Sequence, residues 1–395
     1  MKNLGLLITV TLIFAFIFSE TGCNVSSNAE ESHYKIPTQL NDGLKTGDAN
    51  LAGLNTEILE DAMAAIERGK FNEIHSVLVY KGDQLVYENY FEGHDYQWDA
   101  PSYFGEEVQW TPTMAHPVMS CTKSVTSACV GIAVKMGFID SVQQCIFDYL
   151  PEYQNLKTNN REYITIEHLL TMTCGLAWDE WSASHGENST NDMDRVYFAD
   201  DQINFVLERP WWAVPGEFFT YNGGGIVVLG EIMRNATGMD MEEFAAKYLF
   251  GPLRIESQSW WRFPNGKLET ASSLSLTPRD MVKFGALYLQ NGNWNGEQIL
   301  PEDWITKSST VYRNNYGIKL PIEDSGINVY GYTWWISELN HNGRKIKMYR
   351  ANGWGGQVIG VIPELDMVVV FTSGNWASKS KLFKLVYEYI LPATN

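Results

Sequence analysis

The chain has 395 residues, of which 45% are hydrophobic and 13% are aromatic. This composition excludes an intrinsically disordered protein, because it supplies enough apolar side chains for a sizeable core. The net charge of −18, from 47 acidic and 29 basic residues, disfavours nucleic acid as a partner, since binding phosphates requires surfaces rich in Lys and Arg.

The N-terminal residues have the pattern of an export signal. Lys2 precedes an apolar run over residues 4–18, which is shorter than the about 20 residues that a membrane-spanning helix needs. The letters "TGC" then suggest a lipoprotein cleavage site, so we predict a signal peptide at 1–22 and a lipid on Cys23. We therefore expect an exported protein. It is either a periplasmic or outer-membrane lipoprotein attached to the membrane through Cys23 or, as the alternative, a secreted protein without lipid.

The segment after the signal predicts a leader and then the start of a domain. Residues 23–55 are rich in Asn, Ser, Gly and Asp, as in a linker, so the domain is predicted to span 56–395. Helical periodicity over 56–71 predicts a helix with Thr56 as its N-cap. Two β-rich runs around "KGDQ" predict a hairpin over 75–91.

The rest of the chain divides into a long helical block and a late group of strands. Helical spacing dominates from 115 to 246, which predicts a largely helical subdomain at roughly 120–250. Strand patterns and a closing helix then follow in this order: 330–339, 345–351, 357–364, 367–373 and the helix 379–391. The two ends would build one antiparallel sheet flanked by helices, an α+β fold with the helical subdomain inserted. We expect the functional site in the cleft between the sheet and that insertion.

Cysteine and histidine spacing indicates neither a disulfide framework nor a metal site. No CxxC and no HExxH spacing occurs in the sequence, so we expect no metal and no cofactor. Four thiols remain beyond Cys23, and we expect them to be buried and free. These are Cys121, Cys129, Cys145 and Cys174.

Three matches to S-x-x-K are candidates for a nucleophile and its partner: Ser32–Lys35, Ser120–Lys123 and Ser378–Lys381. On a helix, Ser and Lys at i and i+3 share one face, so the amine can hydrogen-bond and activate the hydroxyl. Burial and a nearby helix N-terminus would lower the pKa of the lysine toward the neutral base. Spacing alone does not choose among the three. By their positions, the first match lies in the leader and the last fits a solvated helix start.

The surroundings of Ser120 distinguish it from the other two. The stretches "VMSCTKSVTSACVGIAVKMGFIDSVQQCIFDYLPEY" and "ITIEHLLTMTCGLAWDE" resemble the β-lactamase-related serine hydrolases. That group holds class C β-lactamases, D-alanyl-D-alanine carboxypeptidases, carboxylesterases and 6-aminohexanoate-dimer hydrolases. The resemblance continues through "PGEFFTYNGGGIVVLGEIM", "ASSLSLTPRDMVKFGALYLQNGNWNGEQILPEDWI" and "YRANGWGGQVIGVIPELDMVVVFTS". It implies the β-lactamase/transpeptidase-like fold, with Ser120 as nucleophile and Lys123 as its partner.

The second motif of that family, Y-x-N, is matched in context by Tyr221-Asn222-Gly223. Literal Y-x-N at Tyr87, Tyr153 and Tyr312 lacks the family's surroundings. The resemblance makes Tyr221 catalytic. Gly223 stands where the family has an Asn that orients the lysine and the substrate, and Asn222 is the neighbouring candidate to compensate.

The third motif, K-T-G or H-x-G on a late strand, corresponds to Ala351-Asn352-Gly353. A literal K-T-G at residues 45–47 precedes Ser120 and is ascribed to chance. Ala351 replaces the family's cation, and the adjacent Arg350 would face the other side of the strand. Gly353 would leave room for substrate at the strand edge. The backbone N–H groups of Ser120 and Trp354 would bind the oxyanion.

The resemblance therefore implies an exported serine hydrolase that cleaves a small-molecule ester or amide through an acyl-enzyme on Ser120. The altered second and third motifs favour esterase or small-amide hydrolase activity over β-lactamase or D,D-peptidase activity. A catalytically impaired homologue that binds cell-wall ligands is the alternative of another class.

Overall fold

The computed structural model describes residues 34–186 and 189–394. Its strands are β1 Ile74–Lys81, β2 Gln84–Tyr90, β3 Glu92–Tyr96, β4 Phe104–Gln109, β5 His116–Pro117, β6 Gln258–Trp260, β7 Leu274–Leu276, β8 Asn293–Trp294, β9 Glu297–Gln298, β10 Val329–Tyr330, β11 Trp335–His341, β12 Arg344–Gly353, β13 Gln357–Ile362 and β14 Met367–Ser373. Its α-helices are α1 Thr56–Glu67, α2 Cys121–Lys135, α3 Ile166–Leu170, α4 Asp192–Tyr197, α5 Gln202–Leu207, α6 Gly223–Thr237, α7 Met241–Ala245, α8 Pro278–Leu289, α9 Glu302–Ser308 and α10 Leu382–Leu385.

A seven-stranded antiparallel sheet joins the two ends of the domain, as the sequence predicts. Its strand order is β10–β11–β12–β13–β14–β1–β2, so the first strand in the sequence pairs with the last. The β1–β2 hairpin turns at Gly82 and Asp83, both at positive φ (59° and 61°), which is the backbone of a type I′ turn. Helices α2 to α7 lie between β5 and β6, where the helical insertion was expected.

Each face of the sheet is covered by helices, and strand alternation divides the core into two parts. Leu78 and Tyr80 of β1 point into a core shared with α2, α8 and the helical insertion. Val77 and Val79 point into a second core, shared with α1 and the C-terminal helix. The insertion thus lies on only one face of the sheet, and the first of these two cores is the one that supports α2.

Helix α2 is buried on nearly every side, which explains its composition. From Cys121 to Ala133 every residue is buried. A helix that presents no solvent face has no polar stripe, and the small side chains of "CTKSVTSACVGIA" allow neighbouring elements to approach closely.

One domain boundary and two helix starts differ from the prediction. Residues 34–55 of the predicted leader belong to the same compact unit as the rest, with Leu44, Ala49 and Leu54 buried. The N-cap of α1 is Asn55, not Thr56, because the Asn55 side chain accepts from the N–H groups of Glu57 and Ile58. The closing helix begins at Leu382 rather than at 379.

The predicted signal peptide at 1–22, the lipidation site Cys23 and Ser32 of the first S-x-x-K match lie outside the described residues. Within 34–186 and 189–394, no helix combines the length and the apolar character needed to cross a membrane.

Candidate active site

The turn that carries Ser120 is held by the strand before it and the helix after it. Met119 has a positive φ of 48°, a conformation that non-glycine residues adopt only at a cost. Ser120 follows as the N-cap of α2, and its side chain makes no capping bond. Its hydroxyl is therefore left for Lys123, and its backbone N–H lies at the helix N-terminus, where intrahelical acceptors are absent.

Ser120 and Lys123 form a hydrogen-bonded pair, with Lys123 Nζ donating to Ser120 Oγ at 2.9 Å. The same ammonium donates to the carbonyl of Ala271 at 3.1 Å. Lys123 is only 2% exposed, so water does not compete for these bonds. The spacing on α2 thus brings the two side chains together as the sequence argument requires.

The charge on Lys123 differs from the sequence prediction. Burial would lower the pKa of Lys123, but its interactions with Tyr221, Glu180 and Glu269 outweigh burial and raise the pKa above the usual lysine value. The prediction of a lowered pKa is therefore wrong, because it considered burial and the helix N-terminus without acids from distant loops. The raised pKa favours the charged form of Lys123.

Tyr221 lies beside this pair and packs against two tryptophans. Its ring stacks on Trp181 at a centroid distance of 5.1 Å and on Trp335 at 5.6 Å, while Lys123 Nζ lies 5.1 Å from its centroid. Burial raises the pKa of Tyr221, and interactions with Lys123 and Ser120 partly offset that rise. The phenol is therefore neutral at rest and interacts with both partners.

The other two residues of the second motif have structural roles. Asn222 is the N-cap of α6: its Oδ1 accepts from Gly225 N at 2.9 Å and its Nδ2 donates to Cys174 Sγ at 3.5 Å. Asn222 is buried and committed to these bonds, which corrects its assignment as a substrate-binding residue. Gly223 instead donates its N–H to Glu180 Oε2 at 2.9 Å.

The third motif ends β12 next to the turn of the nucleophile. A Cβ on Gly353 would lie 2.3 Å from the carbonyl oxygen of Val118, so glycine is needed there for the strand to approach that turn. The carbonyl of Val118, rather than substrate, takes the space that the sequence argument reserved. Trp354 follows in the next turn, where its Nε1 donates to the carbonyl of Trp376 at 2.8 Å.

Arg350 turns away from the site, as strand alternation predicts. It is fully buried on the opposite face of β12, where it pairs with Glu323, donates to Ser337 Oγ at 2.7 Å and lies over the ring of Phe383. Ala351 faces the core that holds α2. Asn352 Oδ1 accepts from Arg350 Nε at 3.4 Å. The third motif therefore offers no cation to a substrate carboxylate.

Sequence reasoning missed the segment that carries Glu180. Trp181 of this segment stacks on Tyr221, and the ring of His185 packs at a tilt against Trp354, with the centroids 4.6 Å apart, so the segment connects the second motif to the third. Asp194 anchors it by accepting from His185 Nδ1 at 2.8 Å. The only available signal was the "WDE" that ends the quoted stretch "LTMTCGLAWDE".

A surface cavity lies away from this site, and the described cysteines are unreactive. The cavity, of about 730 Å³, is lined by Phe71, Glu73 and Phe91 and contains none of Ser120, Lys123 and Tyr221. All four described cysteines are free, three of them buried and Cys145 half-buried. Burial raises the pKa of each thiol, so none is poised as a nucleophile.

Comparison with known proteins shows the family. The family model described as Beta-lactamase matches residues 73–383, a range that contains all three motifs. The 6-aminohexanoate-dimer hydrolase of Paenarthrobacter ureafaciens is 23% identical over 317 residues, which cover 74% of this chain and 70% of that protein.

Solved structures show the same fold at lower identity. A family VIII carboxylesterase superposes with a TM-score of 0.61 at 14% identity, covering 85% of this chain and 96% of that one. A class C beta-lactamase from Rhodobacter sphaeroides gives a TM-score of 0.59 at 14% identity, covering 85% and 99%. At these identities the likeness shows the fold.

Proposed function

The chain belongs to the beta-lactamase family of serine hydrolases, and we propose that it cleaves esters or small amides through an acyl-enzyme on Ser120. The observation that carries the proposal is the hydrogen bond from Lys123 Nζ to Ser120 Oγ at 2.9 Å, inside the core and beside Tyr221. An unassisted serine hydroxyl is a weak nucleophile, and such a pair removes its proton as it attacks.

In the proposed reaction, Ser120 Oγ attacks the carbonyl carbon, and its proton passes to the Lys123–Tyr221 pair. The backbone N–H groups of Ser120 and Trp354 bind the oxygen that becomes negative. The pair then gives the proton to the leaving alcohol or amine as the scissile bond breaks. Water attacks the acyl-enzyme, loses a proton to the same pair and restores Ser120 with release of the acid.

The pair acts as a base only after it has lost one proton. Neutral Lys123 with a phenol and charged Lys123 with a phenolate are the same macroscopic state, so the proton belongs to the pair. Either form can accept the Ser120 proton, and the direct interaction between Lys123 and Tyr221 couples their protonation.

The substrate preference follows from the third motif. Arg350 is buried in an ion pair with Glu323, and Ala351 has no charge, so neither residue can form an ion pair with a substrate carboxylate. This supports neutral esters and small amides over β-lactams and peptidoglycan peptides, because the family members that act on the latter two use a cation in the third motif. The similarity to a 6-aminohexanoate-dimer hydrolase supports cleavage of a small amide as one of the two reactions.

The proposal extends to cellular location on sequence grounds alone. The apolar run at 4–18 and Cys23 support export and attachment to a membrane through a lipid on Cys23. Mass spectrometry of the mature N-terminus from cells tests this: a diacylated Cys23 supports it, and an intact Met1 contradicts it.

The decisive test of the activity is covalent labelling. A fluorophosphonate probe should label the signal-free protein on Ser120, as mapped by peptide mass spectrometry, and Ser120→Ala should abolish both the label and turnover. Ser378→Ala is the matched control and should retain both. A panel of p-nitrophenyl esters, short p-nitroanilides and nitrocefin then identifies the substrate class. Absence of a label on folded protein, or a label that survives Ser120→Ala, contradicts the proposal.

A further inference from the structure

Glu180 lies at the start of α6 although it belongs to a segment 43 residues earlier in the chain. Its Oε2 accepts from Gly223 N at 2.9 Å and from Trp178 Nε1 at 2.6 Å. Its own carbonyl accepts from Asn191 Nδ2 at 3.1 Å, which fixes the backbone from which the side chain extends. The carboxylate is therefore held two residues from Tyr221, at a helix N-terminus that favours negative charge.

The space beside Gly223 shows why this residue has no side chain. A Cβ at this position would lie 2.9 Å from Glu180 Oε2 and 2.5 Å from Met193 Sδ. Any side chain there would displace the carboxylate. Gly223 is thus the residue that admits Glu180 to the place where an Asn of the second motif would project.

The carboxylate also acts on the charges of the reacting groups. Together with Tyr221 and Glu269, Glu180 raises the pKa of Lys123 against the effect of burial. It adds to the rise that burial causes in the pKa of Tyr221. A single side chain therefore orients the backbone next to Tyr221 and keeps the proton on the pair.

We infer that Glu180 is a positioning residue for the reaction, replacing from a distant loop the asparagine that the second motif lacks. The inference rests on the proposed function. Glu180 orients Tyr221 through Gly223 and fixes the charge state of Lys123, whereas an Asn at 223 would act from the same turn. Gly223 and Glu180 are consequently linked, because a side chain at 223 would collide with the Glu180 carboxylate.

Three variants separate the effect of the Glu180 side chain's position from the effect of its negative charge. Glu180→Ala removes both, and we expect kcat for a p-nitrophenyl ester to fall roughly 10- to 100-fold while KM changes much less. Adding Gly223→Asn to Glu180→Ala returns an amide to this place, with the flexible side chain of Met193 shifting to admit the new Cβ, and should recover part of that loss. Glu180→Gln keeps the shape and removes the charge, so the pH at which the pair loses its proton should fall by roughly 0.5 to 1 unit.

Asp201→Asn is the matched control, since Asp201 is a carboxylate at another helix N-terminus whose partners are Ile203 N, Asn204 N and Tyr153. Titration of active sites with the fluorophosphonate makes every rate refer to folded enzyme. The inference is overturned if Glu180→Ala retains kcat within twofold, or if Asp201→Asn produces the same loss and the same shift in pH. Absence of Ser120-dependent turnover in the unaltered protein would instead contradict the proposed function.

Discussion

Ser120–Lys123 and Ser378–Lys381 have the same spacing in sequence and opposite fates in the fold. In the first pair the lysine is 2% exposed and donates to the serine hydroxyl. In the second pair both side chains are exposed, and Ser378 Oγ donates to Asn375 Oδ1 at 2.9 Å. Identical letters therefore give a reactive pair in one place and two solvated side chains in the other.

The difference lies in where each helix begins. Helix α2 begins at Cys121, directly after Ser120, so Ser120 and Lys123 lie one turn apart on one face. Helix α10 begins at Leu382, so Ser378 and Lys381 both precede it and share no helical face. The spacing S-x-x-K has chemical meaning only where one helical turn spans it and a core surrounds it.

Removal of each lysine tests this comparison with the largest expected effect. Lys123→Ala should lower kcat/KM for ester turnover by about 10³-fold or more, because the nucleophile loses its hydrogen-bonded partner. Lys381→Ala should leave kcat/KM unchanged within twofold, since its side chain is exposed. Steady-state kinetics on both variants, normalised by active-site titration, measure the difference. Equal effects of the two substitutions would break the comparison.

Tyr221 sharpens the comparison, because it lies beside Lys123 in the first pair, whereas Ser378 of the second pair donates to Asn375. Tyr221→Phe should lower kcat by about 10²- to 10⁴-fold through loss of the proton carrier, with the fold intact. Tyr153→Phe is the control: Tyr153 begins a literal Y-x-N, and its hydroxyl donates to Asp201 instead. A large loss in Tyr153→Phe with a small one in Tyr221→Phe would reverse the assignment.

The pH dependence follows from the charges that surround only the first pair. The Lys123–Tyr221 pair must lose one proton to act as a base, and nearby carboxylates make that loss harder, which raises the pKa of Lys123. Activity should therefore rise with pH and continue to rise above neutrality, by about tenfold per pH unit below the midpoint. Rates are measured from about pH 6 to about pH 10, over which the rise should continue, with Ser120→Ala subtracted as the blank. A maximum of activity below about pH 7 would contradict the raised pKa of Lys123.

Much of the fold was predictable because it depends on local periodicity. The strand patterns near the two ends and the helical spacing between them were sufficient for the antiparallel sheet and its insertion. The small excursion of β3 and β4, Glu92–Tyr96 and Phe104–Gln109, was missed, since its residues alternate weakly and are mostly exposed or half-buried.

From spacing alone, the candidate site was predictable only where it is local, and Tyr221 was identified through the family resemblance instead. Ser120 and Lys123 are three residues apart on one helix, and their contact follows from that spacing. Glu180 contacts Gly223 from 43 residues away, and no local pattern reports such an approach. The sign of the shift in the pKa of Lys123 was lost for the same reason, because two of the groups that raise it, Glu180 and Glu269, come from distant loops.

The smallest expected effect concerns the helix that follows Ser378. The carboxylate of Asp324 accepts from the N–H groups of Phe383 and Lys384, at 3.1 and 2.9 Å, and so caps α10 from a distant loop. Asp324→Ala should lower the free energy of unfolding by about 1 kcal/mol, as measured in urea, because these N–H groups lose their acceptor. Ester turnover should remain unchanged, since this helix start serves the fold and not the reaction. Asp303→Ala, which removes an exposed carboxylate from the first turn of α9, should cost less than about 0.5 kcal/mol. A loss of turnover in Asp324→Ala at full stability would show that the Ser378 stretch also contributes to catalysis, and the two S-x-x-K pairs would then no longer differ in function.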